Sequence, residues 1–150
     1  NEWRRCARNM KPLSLAIVDV DHFKAYNDHL GHADGDQVLR QIAHALSAFV
    51  RRPGDLVARY GGEELGLLLP DTDAKSAARL GNEVRTRIEA LQLPHPSSPV
   101  SPYVTVSLGG MTAIPDGGNT DPLFFQEADA ALYAAKAEGR NRAIWRQNKN

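Results

Sequence analysis

Two acidic clusters carry the chemistry legible in this chain. One is Val18-Asp19-Val20-Asp21, at the end of the apolar run over residues 14–20. The other is Glu63-Glu64, directly after the glycine pair of Arg59-Tyr60-Gly61-Gly62-Glu63-Glu64-Leu65. Adjacent carboxylates at a hairpin tip repel, so fold stability gives little reason for them, whereas a bound cation does. A carboxylate closing a buried apolar strand is costly to desolvate without a partner. If the hairpin lies beside the 14–20 strand, Asp19 and Glu63 point into the same space. Two or three hard oxygen ligands with open positions suit Mg²⁺, which keeps waters and shares substrate phosphates. The plain alternatives are a surface turn for the glutamates and a helix cap for an aspartate. The cap is adopted for Asp21 and rejected for Asp19.

Other metals fit poorly. Counting a calcium loop from Asp19 puts Lys24 where glycine is needed and Leu30 where glutamate is needed. His22, His29 and His32 lack a common spacing on one helix face, and no cysteine is near them.

These groups need a frame to hold them. A chain of 150 residues fits one domain, here residues 1–150. Lys+Arg and Asp+Glu both number 18, so no broad basic surface for nucleic acid or anionic membrane is expected. The lone Cys6 cannot form an internal disulfide, which fits a reducing compartment. No apolar run is long enough to span a bilayer and no signal peptide is visible. The expectation is a cytoplasmic domain without direct membrane contact, whose parent protein is free to be membrane-anchored. The opening Asn1-Glu2-Trp3-Arg4-Arg5 reads like the middle of a helix and suggests a domain of a longer protein.

Periodicity and breakers predict the elements. A helix over 1–10 ends at Lys11-Pro12. The 14–20 run is a mostly apolar, central strand. A helix capped by Asp21 runs to Leu30, and Gly31 breaks it. A second spans 36–50, with Val38, Leu39, Ile42, Leu46 and Phe49 on one face. Residues 52–55 form a turn. Strands over 55–60 and 65–69 flank the glycine pair, with both glycines expected at φ > 0. A helix over 73–91 follows, with Leu80, Val84, Ile88 and Leu91 inward. A loop with four prolines covers 93–102. Then come a strand over 103–111, a loop over 115–119, a helix over 121–138 stopped by Gly139, and a short strand over 143–146. This order predicts an α+β fold, a mixed α/β sandwich with one central sheet.

Three segments together carry a family resemblance: VDVDHFKAYNDHLGHADGD, then RYGGEEL, then ADAALYAAKAEGRN. In this order, over nearly the whole chain, they resemble the GGDEF domain of diguanylate cyclases. The resemblance implies a mostly antiparallel sheet flanked by helices, similar to nucleotide cyclase and polymerase palm domains. It implies condensation of two GTP into cyclic di-GMP with Mg²⁺ or Mn²⁺, in a homodimer, as the C-terminal output domain under an upstream regulatory domain. By position, Asp19, the carbonyl of Val20 and Glu63 match the family's metal ligands. Glu64 matches a residue assigned either to metal binding or to activating the attacking hydroxyl. Asn27 and Asp36 match the guanine-reading pair. A carboxylate suits guanine because N1–H and the 2-amino group are adjacent donors. The alternative for Asp36 is a helix N-cap after Gly35. Phe23, Lys24, Lys136 and Arg140 match phosphate-binding positions, and Asn141 completes a structural G-R-N motif. The alternative for Lys136 and Arg140 is ordinary cation placement at a helix C-terminus.

Arg52-Pro53-Gly54-Asp55 stands five residues before the signature, the register of the family's inhibitory R-x-x-D site for cyclic di-GMP. A solvated turn is the alternative. The family's further arginine from the following helix aligns with Glu83 here, with Arg79 and Arg85 nearby. Leu65 replaces the family's usual Phe and is expected to face the core. The family's D-x-L-T-G-L-x-N-R stretch is absent from this sequence. The alternative function is a silent GGDEF domain that senses GTP or cyclic di-GMP; a more distant one is another nucleotide cyclase or polymerase-like enzyme.

Overall fold

The computed structural model describes residues 2–115 and 121–147. Its elements are α1 (Glu2–Asn9), β1 (Leu13–Val20), α2 (Phe23–Leu30), α3 (His32–Ser47), β2 (Leu56–Tyr60), β3 (Glu64–Pro70), α4 (Ala74–Ala90), β4 (Val106–Ala113), α5 (Asp121–Ala137) and β5 (Ala143–Gln147). The loop expected over 115–119 lies, after Pro115, outside the described residues.

The apolar character of β1 puts it in the middle of a five-stranded sheet of order β2-β3-β1-β4-β5. Every neighbouring pair is antiparallel except β4 with β5. The fold is therefore α+β with one mostly antiparallel sheet, as expected. The two-residue period of β1 divides the core. Ala16, Val18 and Val20 join Leu39, Ile42, Leu46, Val84 and Ile88 on the side of α3 and α4. Leu13 and Ile17 join Cys6, Phe124, Ala128 and Leu132 on the side of α1 and α5. The same alternation puts Asp19 on the α5 side.

Several boundaries differ from the sequence reading. Helix α3 starts at His32, because Gly31 alone (φ 94) makes the break and Gly35 lies inside the helix; it ends at Ser47 rather than at residue 50. β4 starts at Val106, because Tyr103 is held in a bridge to Pro94 that closes the proline loop. Leu91 is 37% exposed instead of inward, since α4 ends at Ala90. The hairpin loop holds three residues, Gly61 to Glu63, because Tyr60 pairs with Glu64. Only Gly61 takes a positive φ, of 70°.

Candidate functional site

The β1–β3 register sets Asp19 directly opposite Glu64 and leaves Glu63 in the turn beside them. Residues directly opposite in an antiparallel pair share a face. So Glu64 joins Asp19 on the α5 side, and Leu65 points the other way, 1% exposed in the core as expected. Arg59 fixes the turn by donating from Nη2 to the Gly62 carbonyl at 3.0 Å. A Cβ on Gly62 would meet nothing within 4 Å, so open space lies above the turn.

Asp19 is 4% exposed. Its Oδ2 accepts from Lys136 Nζ on α5, and its Oδ1 is buried without a hydrogen-bond partner. Burial raises the pKa of Glu63, and the charge of Asp19 raises it further; Lys136 pulls it back. The two carboxyls also touch, a contact that a proton would have to bridge. Glu64 is raised first by burial, then by Asp19, with Asp129 of α5 adding a smaller push and Lys136 opposing. Three carboxyls thus converge on one ammonium, and the cluster is short of positive charge. Among the described residues, no group of three His, Cys, Asp or Glu side chains is arranged to hold a metal ion unaided. The orphaned Asp19 oxygen and the hard oxygen donors nearby fit an ion such as Mg²⁺, which completes its shell with water and ligand phosphates.

From Val20 the chain turns into α2, and here one expectation fails. Asp21 does not cap the helix: the N-cap position is His22, left-handed at φ 54, and no side chain caps. Asp21 instead points into the protein, 1% exposed, accepting from Thr105 Oγ1 (2.8 Å), Ser107 Oγ (2.6 Å) and Asn141 N (3.0 Å). Three donors on one buried carboxylate are worth more than one bond to a frayed helix end. Phe23 and Lys24 open the helix, so their amides lack partners within it. Phe23 is buried and Lys24 exposed. His22 titrates low because it is partly buried and because Arg140 lies near.

Arg140 and Asn141 both take left-handed φ values, 64° and 49°. Asn141 holds this turn through its backbone bond to Asp21 and a bond from Nδ2 to Glu89 Oε2 of α4 (3.1 Å). Its Oδ1 accepts from Arg85 Nη1 at 3.2 Å. That agrees with a structural role for the last residue of the G-R-N motif.

Asn27 packs against α3 at Gly35. A Cβ there would stand 1.8 Å from Asn27 Oδ1, which is buried and has no hydrogen-bond partner. Asp36 follows on α3, exposed and one turn inside the helix, so it is not an N-cap.

Arg52 and Asp55 stand apart from this edge. Asp55 Oδ2 closes the turn by accepting from Arg51 N (3.3 Å) and Arg52 N (3.1 Å), while its Oδ1 is buried and unpartnered. Arg52 donates to Pro70 O (2.8 Å), Asp71 O (3.3 Å) and the Thr72 hydroxyl. Both residues line a cavity of about 370 Å³ with Arg51, Phe49 and Leu80. Glu83 and Arg79 on α4 are exposed and do not line it.

Several supporting residues escaped the sequence reading. Thr105 and Ser107 had a signal, being polar at alternate positions of an otherwise apolar strand. Glu89 had none. His95, fully buried in the proline loop with Nε2 3.0 Å from the His22 carbonyl, had none either.

Comparison with known proteins agrees with this geometry. The family model described as "Diguanylate cyclase, GGDEF domain" matches residues 1–142. An Escherichia coli K12 protein named "Probable diguanylate cyclase DgcT" is 38% identical over 135 residues, covering 90% of this chain and 29% of that protein. The GGDEF domain of DgcB from Caulobacter crescentus, solved in complex with c-di-GMP, superposes with TM-score 0.84 at 33% identity, covering 96% of this chain and 81% of that one. The active GGEEF domain of a diguanylate cyclase from Vibrio cholerae gives TM-score 0.80 at 30% identity, covering 96% and 88%. The chain spans less than a third of the length of the curated relatives it matches.

Proposed function

Because the chain belongs to the GGDEF domain family of diguanylate cyclases, we propose that it condenses two GTP into cyclic di-GMP with release of pyrophosphate. The observation that carries this reading is the buried, unpartnered Oδ1 of Asp19 beside two glutamates whose pKa values are raised. That cluster calls for positive charge, and a metal-bound triphosphate brings it. The GGEEF name of the active Vibrio cholerae domain adds support, since Glu63 takes the same position.

In this mechanism Asp19, the Val20 carbonyl and Glu63 would hold Mg²⁺ or Mn²⁺. When bound, the ion neutralises the triphosphate and stabilises charge at the α-phosphorus. Asn27 and Asp36 accept from or donate to the guanine edge. The amides of Phe23 and Lys24 take terminal phosphate oxygens at the start of α2. Lys136 bridges Asp19 to the triphosphate, and Arg140 adds a second cation. A 3′-hydroxyl oxygen attacks the α-phosphorus, the bond to the β-phosphate oxygen breaks, and pyrophosphate leaves. The hydroxyl proton must go to a base, and Glu64, opposite Asp19 on the same face, would take it or complete the ligands of the metal.

The attacking hydroxyl belongs to a second GTP, so two domains must face each other about a two-fold axis, each supplying half of the reaction. An upstream domain would set that pairing. Arg52 and Asp55 form the inhibitory site for cyclic di-GMP, a reading supported by the cavity that both line and by the unpartnered Asp55 Oδ1. Product binding there would exchange some of the bonds Arg52 makes to the β3–α4 connection. The reading implies a cytoplasmic domain, because its substrate is GTP. No helix among the described residues is long and apolar enough to cross a membrane.

The test is incubation with GTP and Mg²⁺ and chromatography of the products, beside Glu63→Ala. Cyclic di-GMP from the wild type and none from the variant is expected. A concentrated sample that binds GTP and makes no cyclic di-GMP would leave a sensor in place of an enzyme.

A further inference from the structure

The four-proline loop over 93–102 is folded back on itself. His95 N donates to Pro102 O at 2.8 Å, Val104 N donates to Leu93 O at 2.7 Å, and Pro94 bridges to Tyr103. Prolines restrict the unfolded chain, so ordering this loop costs less than ordering a flexible one of equal length. His95 points from it into the protein, 1% exposed. Its ring meets Tyr26 edge to face, with centroids 5.2 Å apart and planes at 86°. A carbonyl can only accept, so the contact of Nε2 with His22 O at 3.0 Å assigns the proton to Nε2. From the same loop Ser97 Oγ donates to Ala25 O at 3.2 Å.

Both contacts land on the turn that opens α2. A left-handed φ of 54 at His22 is uncommon for a residue with a side chain and needs a restraint. The His22 carbonyl also accepts from Tyr26 N at 3.1 Å, the first hydrogen bond of α2. No side chain caps this helix. Asp21 anchors the turn on one side through Thr105, Ser107 and Asn141, and the His95 side chain bonds the His22 carbonyl on the other.

We infer that His95 is a positioning residue: its Nε2–H holds the His22 carbonyl so that the first turn of α2 presents the Phe23 and Lys24 amides to the terminal phosphates of the nucleotide. The ligand in this statement rests on the cyclase reading; the restraint on His22 does not. A histidine that merely filled the core would affect every ligand equally. A positioning histidine affects the phosphates and spares the nucleoside.

The test uses the full chain as wild type, His95→Leu and His95→Gln, whose amide nitrogen reaches near the Nε2 position. The probes are guanosine and, with Mg²⁺, a GTP analogue with a methylene bridge between the α- and β-phosphates, which cannot release pyrophosphate. Loss of one net hydrogen bond should weaken analogue binding by about fivefold to tenfold in His95→Leu. Guanosine affinity should stay unchanged, and His95→Gln should restore the analogue. Hydrogen exchange of the Tyr26 amide should quicken in His95→Leu and not in His95→Gln. Equal analogue affinity in wild type and His95→Leu, an equal loss for guanosine, or no rescue by His95→Gln would overturn the inference. If the wild type binds no analogue, the cyclase reading fails instead, and unchanged Tyr26 exchange in His95→Leu alone overturns the restraint. Should His95→Leu not fold, His95→Asn, too short to reach His22, takes its place.

Discussion

Asn27 cannot keep its place if Gly35 gains a methyl group, because the new Cβ would stand 1.8 Å from Asn27 Oδ1. Alanine is the better helix former by about 1 kcal/mol, which offsets the cost of moving the Asn27 amide and of easing the buried Phe23 ring, whose Cζ would lie 3.1 Å away. Gly35→Ala should therefore leave the melting temperature nearly unchanged while weakening guanosine binding by about tenfold. Calorimetric titration beside thermal melting separates the two effects. A second residue-scale effect follows from Glu63, whose folded-state pKa is raised by burial and by Asp19. A raised carboxyl pKa means a contribution to stability that is full below the ordinary glutamate value and lost as pH rises through the raised one. In the absence of divalent metal, Glu63→Gln should raise the melting temperature at about pH 7.5 and change it little near about pH 4. Added Mg²⁺ should stabilise the wild type more than the variant, since only the wild type keeps the full ligand set. At this scale the sequence made Asp19 and Glu63 legible through residue type, strand-end position and charge. It misread Asp21, because a donor set drawn from Thr105, Ser107 and Asn141 is a long-range fact that local capping rules do not contain.

The elements around the site act through that buried aspartate. Asp21 joins the end of β1 to β4 and to the turn after α5, and so fixes where α2 begins. Asp21→Ala removes a charged acceptor from three donors and should cost about 3 kcal/mol. For a chain of this size that lowers the melting temperature by about 6–12 °C. Scanning calorimetry checks it, and a change within error would show that the three bonds contribute nothing net. Long periodic elements such as α4 and α5 were legible within a residue or two. The break at Gly31 after Leu30 was legible too, but the start of α3 was not. Gly35 reads as a break before Asp36, yet it lies inside α3 because Asn27 needs the space, and Gly31 alone makes the turn. The proline loop was legible as a loop; that it braces α2 through His95 was not, because a lone histidine between prolines carries no local signature.

For the whole molecule, the sheet order brings residues far apart in sequence to one edge: Asp19 at the end of β1, Glu63 and Glu64 at the hairpin, and Lys136 at the end of α5. Legibility at this scale came from three motifs in family order, since the β1–β3 pairing that joins them cannot be read from either strand alone. The reaction still needs a second GTP held by a second domain. The most direct measurement is therefore the same GTP and Mg²⁺ incubation run over a series of protein concentrations, with cyclic di-GMP quantified per chain. The account predicts cyclic di-GMP whose specific rate rises with concentration as chains pair, and none from Glu63→Ala at any concentration. No cyclic di-GMP from a concentrated or artificially dimerised sample, or an undiminished rate from Glu63→Ala, would contradict it.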